Sequence, residues 1–135
     1  MHFKNRLIER ALLHIEGLLR AELGQYELAL ESHAHEIIAA TRLYNTPTLI
    51  NPGYFQIANI HFKQKRLSLA TSFYTKAAEL WLEKGTNTED LNYIEKCSAQ
   101  KTLQHIVDMY SGMNETVRNR EECLGKAEQA LAVIN

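Results

Sequence analysis

The chain has 135 residues, a length that corresponds to one domain with a continuous hydrophobic core. Its 15 basic and 16 acidic side chains leave a net charge of −1, so no bulk electrostatic field attracts nucleic acid or an anionic membrane. No apolar run is long enough to cross a bilayer, no secretory signal pattern is present, and the two cysteines suggest no disulfide framework. We therefore expect a cytoplasmic protein that binds neither nucleic acid nor membranes, with its thiols buried or half-buried in a reducing compartment.

The first part of the chain predicts a helical hairpin over about residues 3–44. Apolar side chains follow helical spacing from about Phe3 to Ala21. Gly24 then supplies the left-handed residue that ends a helix and opens a tight turn. A second helix follows and ends before Pro47, because proline cannot continue a helix.

A second hairpin is predicted over about residues 51–84. Asn51 and Pro52 are typical of a helix start, with the asparagine as the cap and the proline at the first helical position. The basic turn at residues 63–66 separates this helix from a fourth one, which ends near residue 84.

The remainder predicts a third hairpin over about residues 87–134. Thr86 and Glu89 have the spacing of a capping box, in which a hydroxyl and a carboxylate satisfy each other's free backbone N–H groups. The fifth helix extends to about Tyr110, and the last helix carries Val117 on its apolar stripe. No segment alternates with a period of two, so no sheet is expected.

The first two hairpins repeat one pattern at an offset of 41 residues. Small residues where the helices cross, a turn residue and a bulky residue fall at matching places. The matching pairs are Gly17 and Ala58, Gly24 and Lys65, Ala29 and Ala70, and His33 and Tyr74. The third hairpin departs from the pattern, because Ser111, in a predicted turn, stands 41 places after Ala70. The sequence therefore predicts an all-α fold of three antiparallel helical hairpins within one domain, residues 1–135.

The small-residue and turn pattern of the first two hairpins resembles tetratricopeptide (TPR) repeats. A 34-residue unit fits residues 10–43 and 51–84, with a seven-residue insertion between them. Leu13 and Tyr54 stand where the repeat has its first bulky anchor. The resemblance implies a short right-handed superhelix whose inner helices line a concave groove for other proteins.

The second unit has a closer likeness. Its residues 51–62 read NPGYFQIANIHF, and the stretches KRLSLA, YTK and ELW follow at 65–70, 74–76 and 79–81. This pattern is similar to the TPR region of a ciliary family, the MYND-zinc-finger TPR proteins of motile axonemes, which are associated with inner dynein arms. Two lone cysteines cannot build a MYND finger. The resemblance therefore implies only the repeat half of such a protein, as a fragment or a shortened homologue.

By the same resemblance, the concave groove holds the partner. The residues implied to contact it are His14, Leu18, Phe55, Gln56, Asn59, Phe62, Lys63, Lys96 and Gln100. Their apolar, aromatic and amide character suits a helix or an extended segment of another protein. Only Asn59 matches the clamp of TPR proteins that read chaperone tails, so a carboxylate clamp is not expected. The alternatives are packing between hairpins for Phe55 and Phe62, and a solvated turn for the basic cluster that includes Lys63.

No metal, cofactor or catalytic motif is predicted. His33 and His35 are two apart on a helix, so their side chains point in different directions, and no HExxH motif occurs. His33 is instead expected in the core or at the hairpin interface, at the position that Tyr74 occupies in the second hairpin. No nucleophile and base can be paired on a motif, so we expect no enzyme and no cofactor.

These inferences predict a non-catalytic scaffold for protein–protein interaction. The resemblance within residues 51–81 implies an axonemal subunit of a cilium or flagellum, in a hetero-complex with a dynein heavy chain or another TPR subunit. The alternative is a cytosolic TPR adaptor that binds a short peptide motif of a partner protein. Because the helices at both ends of the chain are apolar and lack a polar cap, the ends are also expected to contact a partner or further chain.

Overall fold

A computed structural model describes residues 2–42, 47–83 and 91–135, and these contain six α-helices and no β-strand. The helices are α1 (His2–Glu22), α2 (Tyr26–Thr41), α3 (Pro47–Lys63), α4 (Leu67–Glu79), α5 (Tyr93–Ser111) and α6 (Arg120–Ile134). The predicted all-α fold is confirmed. Within the same ranges, no helix carries an apolar stretch that would cross a lipid bilayer.

Consecutive helices pair into three hairpins, α1 with α2, α3 with α4, and α5 with α6. The first two hairpins are joined because α3 packs against α2. The third hairpin is attached differently, since α6 rather than α5 supplies most of its contact with α4. The second helix of the first hairpin thus contacts the next helix in the chain, whereas the second helix of the second hairpin contacts the last one. This change occurs after α4, where the sequence repeat also ends.

The turns of the first two hairpins share one backbone geometry. Gly24 and Lys65 are both left-handed, with φ angles of 77° and 62°. The backbone N–H of the next residue, Gln25 or Arg66, donates to the carbonyl five residues earlier, at 2.8 Å in the first turn and 2.9 Å in the second. Gln25 and Arg66, which precede α2 and α4, have φ and ψ angles of −87° and 65°, and of −90° and 68°. The repeat read from the sequence is thus also a repeat of the backbone.

One hydrophobic cluster joins the second and third hairpins. The rings of Tyr74 and Tyr110 meet edge-on with centroids 6.0 Å apart, and the Tyr110 hydroxyl is hydrogen-bonded to Thr71 at 2.7 Å. Cys123 is buried in the same cluster, and burial raises the pKa of its thiol to about 11. The thiol is therefore protonated at neutral pH. Cys97 is half-buried, and both cysteines are free, as the sequence predicts.

The predicted start of α3 at Asn51 and Pro52 is wrong. The helix begins at Pro47, and Pro52 lies inside it. Asn51 is buried rather than capping the helix, and its Nδ2 donates to the carbonyl of Ala77 at 2.6 Å. This carbonyl is available because α4 ends there in tighter bonds that span three residues. The side chain that was expected to start one helix therefore completes the end of another.

The starts of the last two helices also differ from the prediction. The capping box expected at residues 86–89 lies outside the described residues. α5 begins behind a different box, in which Asn92 accepts from the Glu95 N–H at 2.8 Å and Glu95 accepts from the Asn92 N–H at 3.2 Å. α6 begins only after Asn119, whose left-handed φ of 65° lies outside the range of a right-handed helix. Val117 therefore precedes the helix, although its side chain is buried.

Lys65→Gly is expected to stabilise the protein by about 1 kcal/mol, because a left-handed backbone strains an L-residue by roughly that amount and glycine not at all. Gly24→Ala tests the matching turn in the opposite direction. An added Cβ there meets no atom within 4 Å, so its loss of about 1 kcal/mol comes from backbone strain alone. Urea unfolding followed by circular dichroism measures both changes. A destabilised Lys65→Gly variant would contradict the shared turn geometry.

Candidate functional site

The inner helices of the hairpins enclose a groove with a volume of about 370 Å³. Its lining comes from α1, α3, α5 and the segment after α4: His14, Thr48, Asn51, Pro52, Phe55, Gln56, Trp81, Ile94, Glu95, Ser98, Ala99 and Thr102. The Phe55 ring meets Tyr74 and His105 edge-on, at centroid distances of 5.7 Å in both cases. The aromatic part of the groove is therefore held in place by contacts with α4 and α5.

Each of the nine predicted partner-contacting residues keeps part of its surface exposed. His14, Phe55 and Gln56 line the groove. Leu18, Lys63 and Lys96 are exposed but do not line it. The structure therefore brings one third of the predicted set together at one surface.

The other three predicted residues are occupied by contacts within the chain. Asn59 accepts a hydrogen bond from the Tyr74 hydroxyl, and Gln100 donates to Asn135 at 2.8 Å. Phe62 packs against the hydrophobic cluster of the second and third hairpins, which is the alternative that the sequence left open for it. None of these three residues lines the groove, and their contact with a partner stays a prediction.

The groove residues that were not predicted come mostly from α5. The repeat pattern ends after Ala70, so it carries no information on the register of α5 against α3. A signal was nevertheless present, because Ile94, Ser98 and Thr102 recur every four residues and form one face of a helix. This face, rather than the one with Lys96, lines the groove.

A group of ionisable side chains lies between α1 and α2, next to the groove. Glu36 has 0% of its surface exposed. Nδ1 of His14 donates to both carboxylate oxygens, each at 3.0 Å, and Nδ1 of His33 donates to Oε1 at 2.8 Å. Nη1 of Arg10 lies 3.6 Å from Oε2. One ring nitrogen of each histidine and a carboxylate oxygen of Glu36 all lie within 4.8 Å of one another, so these three residues are the described group that could hold a metal ion.

The prediction of no metal site rested on the spacing of histidines within one helix. It separated His33 from His35 correctly, since His33 is buried and His35 is exposed. His14, however, comes from α1 and reaches the same carboxylate across the hairpin. The local signal for the group was the i,i+3 spacing of His33 and Glu36, which places both on one face of α2.

Gly17 leaves room for this group, and Gly53 leaves room for the neighbouring Ile37. A Cβ at Gly17 would lie 2.6 Å from Cε1 and 2.7 Å from Cδ2 of the His33 ring. A Cβ at Gly53 on α3 would lie 2.6 Å from Cγ1 of Ile37 and 3.5 Å from Oε2 of Glu36. Nε2 of His33 is buried and has no hydrogen-bond partner among the described residues. Gly17, read from the sequence as a small residue at a helix crossing, is therefore required by the His33 ring.

The second hairpin has an uncharged version of the same arrangement. Phe55 and Tyr74 stand at the positions of His14 and His33. The ring centroids are 5.5 Å apart at 68° for the two histidines, and 5.7 Å apart at 61° for the phenylalanine and tyrosine. Alanine stands at the position of Glu36. The hairpin architecture therefore does not require a carboxylate or imidazole rings at these places.

Hydrogen bonds and nearby charges together have a larger effect than burial on the pKa of Glu36. Burial alone raises the pKa of a carboxyl group, because it disfavours the charged form. The hydrogen bonds from His14 and His33, together with their charges, act in the opposite direction and hold the pKa of Glu36 below its ordinary value of 4.5. Glu36 is therefore an ionised carboxylate at neutral pH.

The outer face of α1 forms a second candidate surface. Its large apolar side chains recur at helical spacing and expose half or more of their surface: Ile8, Leu12, Ile15, Leu19 and Leu23. Exposed apolar patches of this kind often mark surfaces that contact other proteins, and contact of this face with a partner stays a prediction.

Comparisons with known proteins do not identify a family. No protein-family model matches the sequence, and no solved structure gives a significant match. The TPR resemblance therefore stays a prediction.

Gly17→Ala is expected to destabilise the protein by about 1–3 kcal/mol, because the new methyl group would overlap the buried His33 ring. Gly125→Ala in α6 is the matched control, since its Cβ meets no atom within 4 Å. That change removes a flexible residue from a helix and is expected to stabilise by about 0.5–1 kcal/mol. Thermal and urea unfolding measure both. Equal effects of the two substitutions would contradict the close packing of His33 on Gly17.

Proposed function

We propose that the protein is a non-catalytic scaffold that binds a segment of a partner protein in the groove between α1, α3 and α5. The observation that carries this proposal is the composition of the groove. Phe55 presents a half-buried aromatic ring that the fold holds in place, Trp81 lines the groove with only 4% of its surface exposed, and Ile94 is 78% exposed. Rigid aromatic groups next to an exposed aliphatic one are typical anchors for an apolar side chain of a partner.

The polar lining suits a peptide backbone. Gln56, Ser98 and Thr102 present amide and hydroxyl groups along the same groove. Such groups can donate to carbonyls and accept from N–H groups of a bound segment, while the aromatic surface takes its side chains. A helix or an extended strand of another protein combines both features.

The cellular setting that we propose is the axoneme of a cilium or flagellum, in a complex with inner-arm dynein or an adjoining TPR subunit. This part rests on the likeness of residues 51–81 to the ciliary family. The same stretch supplies five of the groove residues, namely Asn51, Pro52, Phe55, Gln56 and Trp81. The residues that carry the likeness are therefore also residues that would contact the partner.

Ile94→Asp is expected to reduce capture of the partner by about tenfold or more, because it places a charge among the apolar contacts of the groove. The fold should be unchanged, since the side chain is exposed. Tyr93→Asp is the matched control. The Tyr93 side chain is next to Ile94 in the sequence and is 81% exposed, but it does not line the groove. Each immobilised protein is incubated with a high-salt axonemal extract and with cytosol, and bound dynein heavy chain is quantified by mass spectrometry.

Equal capture by Ile94→Asp and Tyr93→Asp would contradict the groove as the binding surface. Capture of cytosolic proteins alone, with Ile94→Asp still defective, would contradict the axonemal setting and favour the cytosolic adaptor. The two parts of the proposal are therefore tested separately.

A further inference from the structure

We propose that His14, His33 and Glu36 form a binding site for a divalent transition metal ion of the zinc class, with one coordination position open toward the groove. The donors come from two helices, one imidazole from α1 and an imidazole and a carboxylate from α2. Two imidazole nitrogens and one carboxylate oxygen are a donor set that Zn²⁺ takes where three protein ligands leave a fourth position free.

The distances between donors fit a small ion after a modest shift. Both Nδ1 atoms lie within 3.0 Å of the same oxygen of Glu36. A tetrahedral zinc with bonds of about 2.0–2.1 Å separates its ligand atoms by roughly 3.4 Å, so each Nδ1 must move a few tenths of an ångström away from this oxygen. All three donors already lie within 4.8 Å of one another. His14 is able to make this shift, since a quarter of its side chain (25%) is exposed while His33 and Glu36 are held on one helix face.

An independent observation comes from the second hairpin. There the two rings keep the same edge-on geometry with Phe55 and Tyr74, and alanine replaces the carboxylate. Replacing buried ionic groups by apolar ones of similar size is often neutral or stabilising. The first hairpin therefore carries a buried carboxylate and two imidazoles in a frame that the second hairpin builds from an uncharged pair of rings and an alanine, which points to a ligand rather than to packing.

The surroundings give the ion an entrance and a fixed carboxylate. His14 lines the groove, so an ion and a fourth ligand, water or a donor atom of a bound segment, can approach from that side. Arg10 lies 3.6 Å from Oε2 and leaves Oε1 for the metal. Such second contacts orient a ligating carboxylate.

The position of the imidazole proton limits the affinity of this site for a metal ion. A metal ion on Nδ1 requires the imidazole proton to be on Nε2. In His33 that atom is buried without a hydrogen-bond partner among the described residues, and a buried unpaired donor is costly. We therefore expect dissociation constants in the micromolar range.

The experiment uses the untagged full chain, dialysed to equilibrium against micromolar zinc sulfate, with bound metal counted by mass spectrometry. Cobalt chloride serves as a second probe, because its visible absorption reports tetrahedral coordination. We expect one zinc ion per chain and a loss of affinity of about tenfold or more in His14→Gln. His35→Gln is the matched control, since it removes an exposed histidine of α2 and is expected to bind zinc like the parent.

A triple variant keeps the test independent of folding defects. His14→Phe, His33→Tyr and Glu36→Ala together place the residues of the second hairpin into the first. This variant is expected to fold, as judged by circular dichroism and cooperative unfolding, and to bind no stoichiometric zinc. The proposal is overturned if the parent chain takes up no stoichiometric zinc, if His14→Gln binds as tightly as the parent, or if the folded triple variant still binds one ion.

Discussion

The carboxylate of Glu36 lies in the interior with no exposed surface, and removing such a charge from water costs several kcal/mol unless it is paired. α2 carries this group, and α1 supplies Arg10 and His14 to it from across the hairpin. The third helix also packs against α2, and there Gly53 makes room for Ile37, the residue after Glu36. The register of α1 on α2 is therefore tied to one charge, and so is the position of His14 at the end of the groove.

The two homologous hairpins show what this charge adds. Both have the same left-handed turn and the same pair of edge-on rings, but the second hairpin fills the space with Phe55, Tyr74 and a small residue. Apolar packing is sufficient for that hairpin, and it gives a rigid wall for the groove. The first hairpin uses an ionised carboxylate and two imidazoles instead, which gives this end of the groove chemistry that the other end lacks.

The frame of the first two hairpins could be predicted from the sequence, because it is encoded locally. Gly24, Lys65 and the small residues at the crossings mark the turns and contacts without reference to distant parts of the chain. The attachment of the third hairpin could not be predicted, since the contact of α6 with α4 has no local signal. The same holds for the site. Periodicity places His14 and Glu36 on their own helices, but only the crossing of those helices brings them together, and the groove lining on α5 depends on how that helix lies against α3.

The most direct test of the central claim compares the free energy of unfolding of the parent chain with that of Glu36→Gln across the acid range. The pKa of Glu36 in the folded protein lies below its ordinary value of 4.5, so the ionised carboxylate contributes stability above that pH, and this contribution is lost as the pH falls through the folded pKa. Glutamine has no proton to take up. The advantage of the parent chain should therefore shrink as the pH falls below 4.5. A parent chain whose advantage over Glu36→Gln did not shrink below pH 4.5 would have a carboxyl pKa that the fold does not lower, which would contradict the pairing of Glu36 with its histidines.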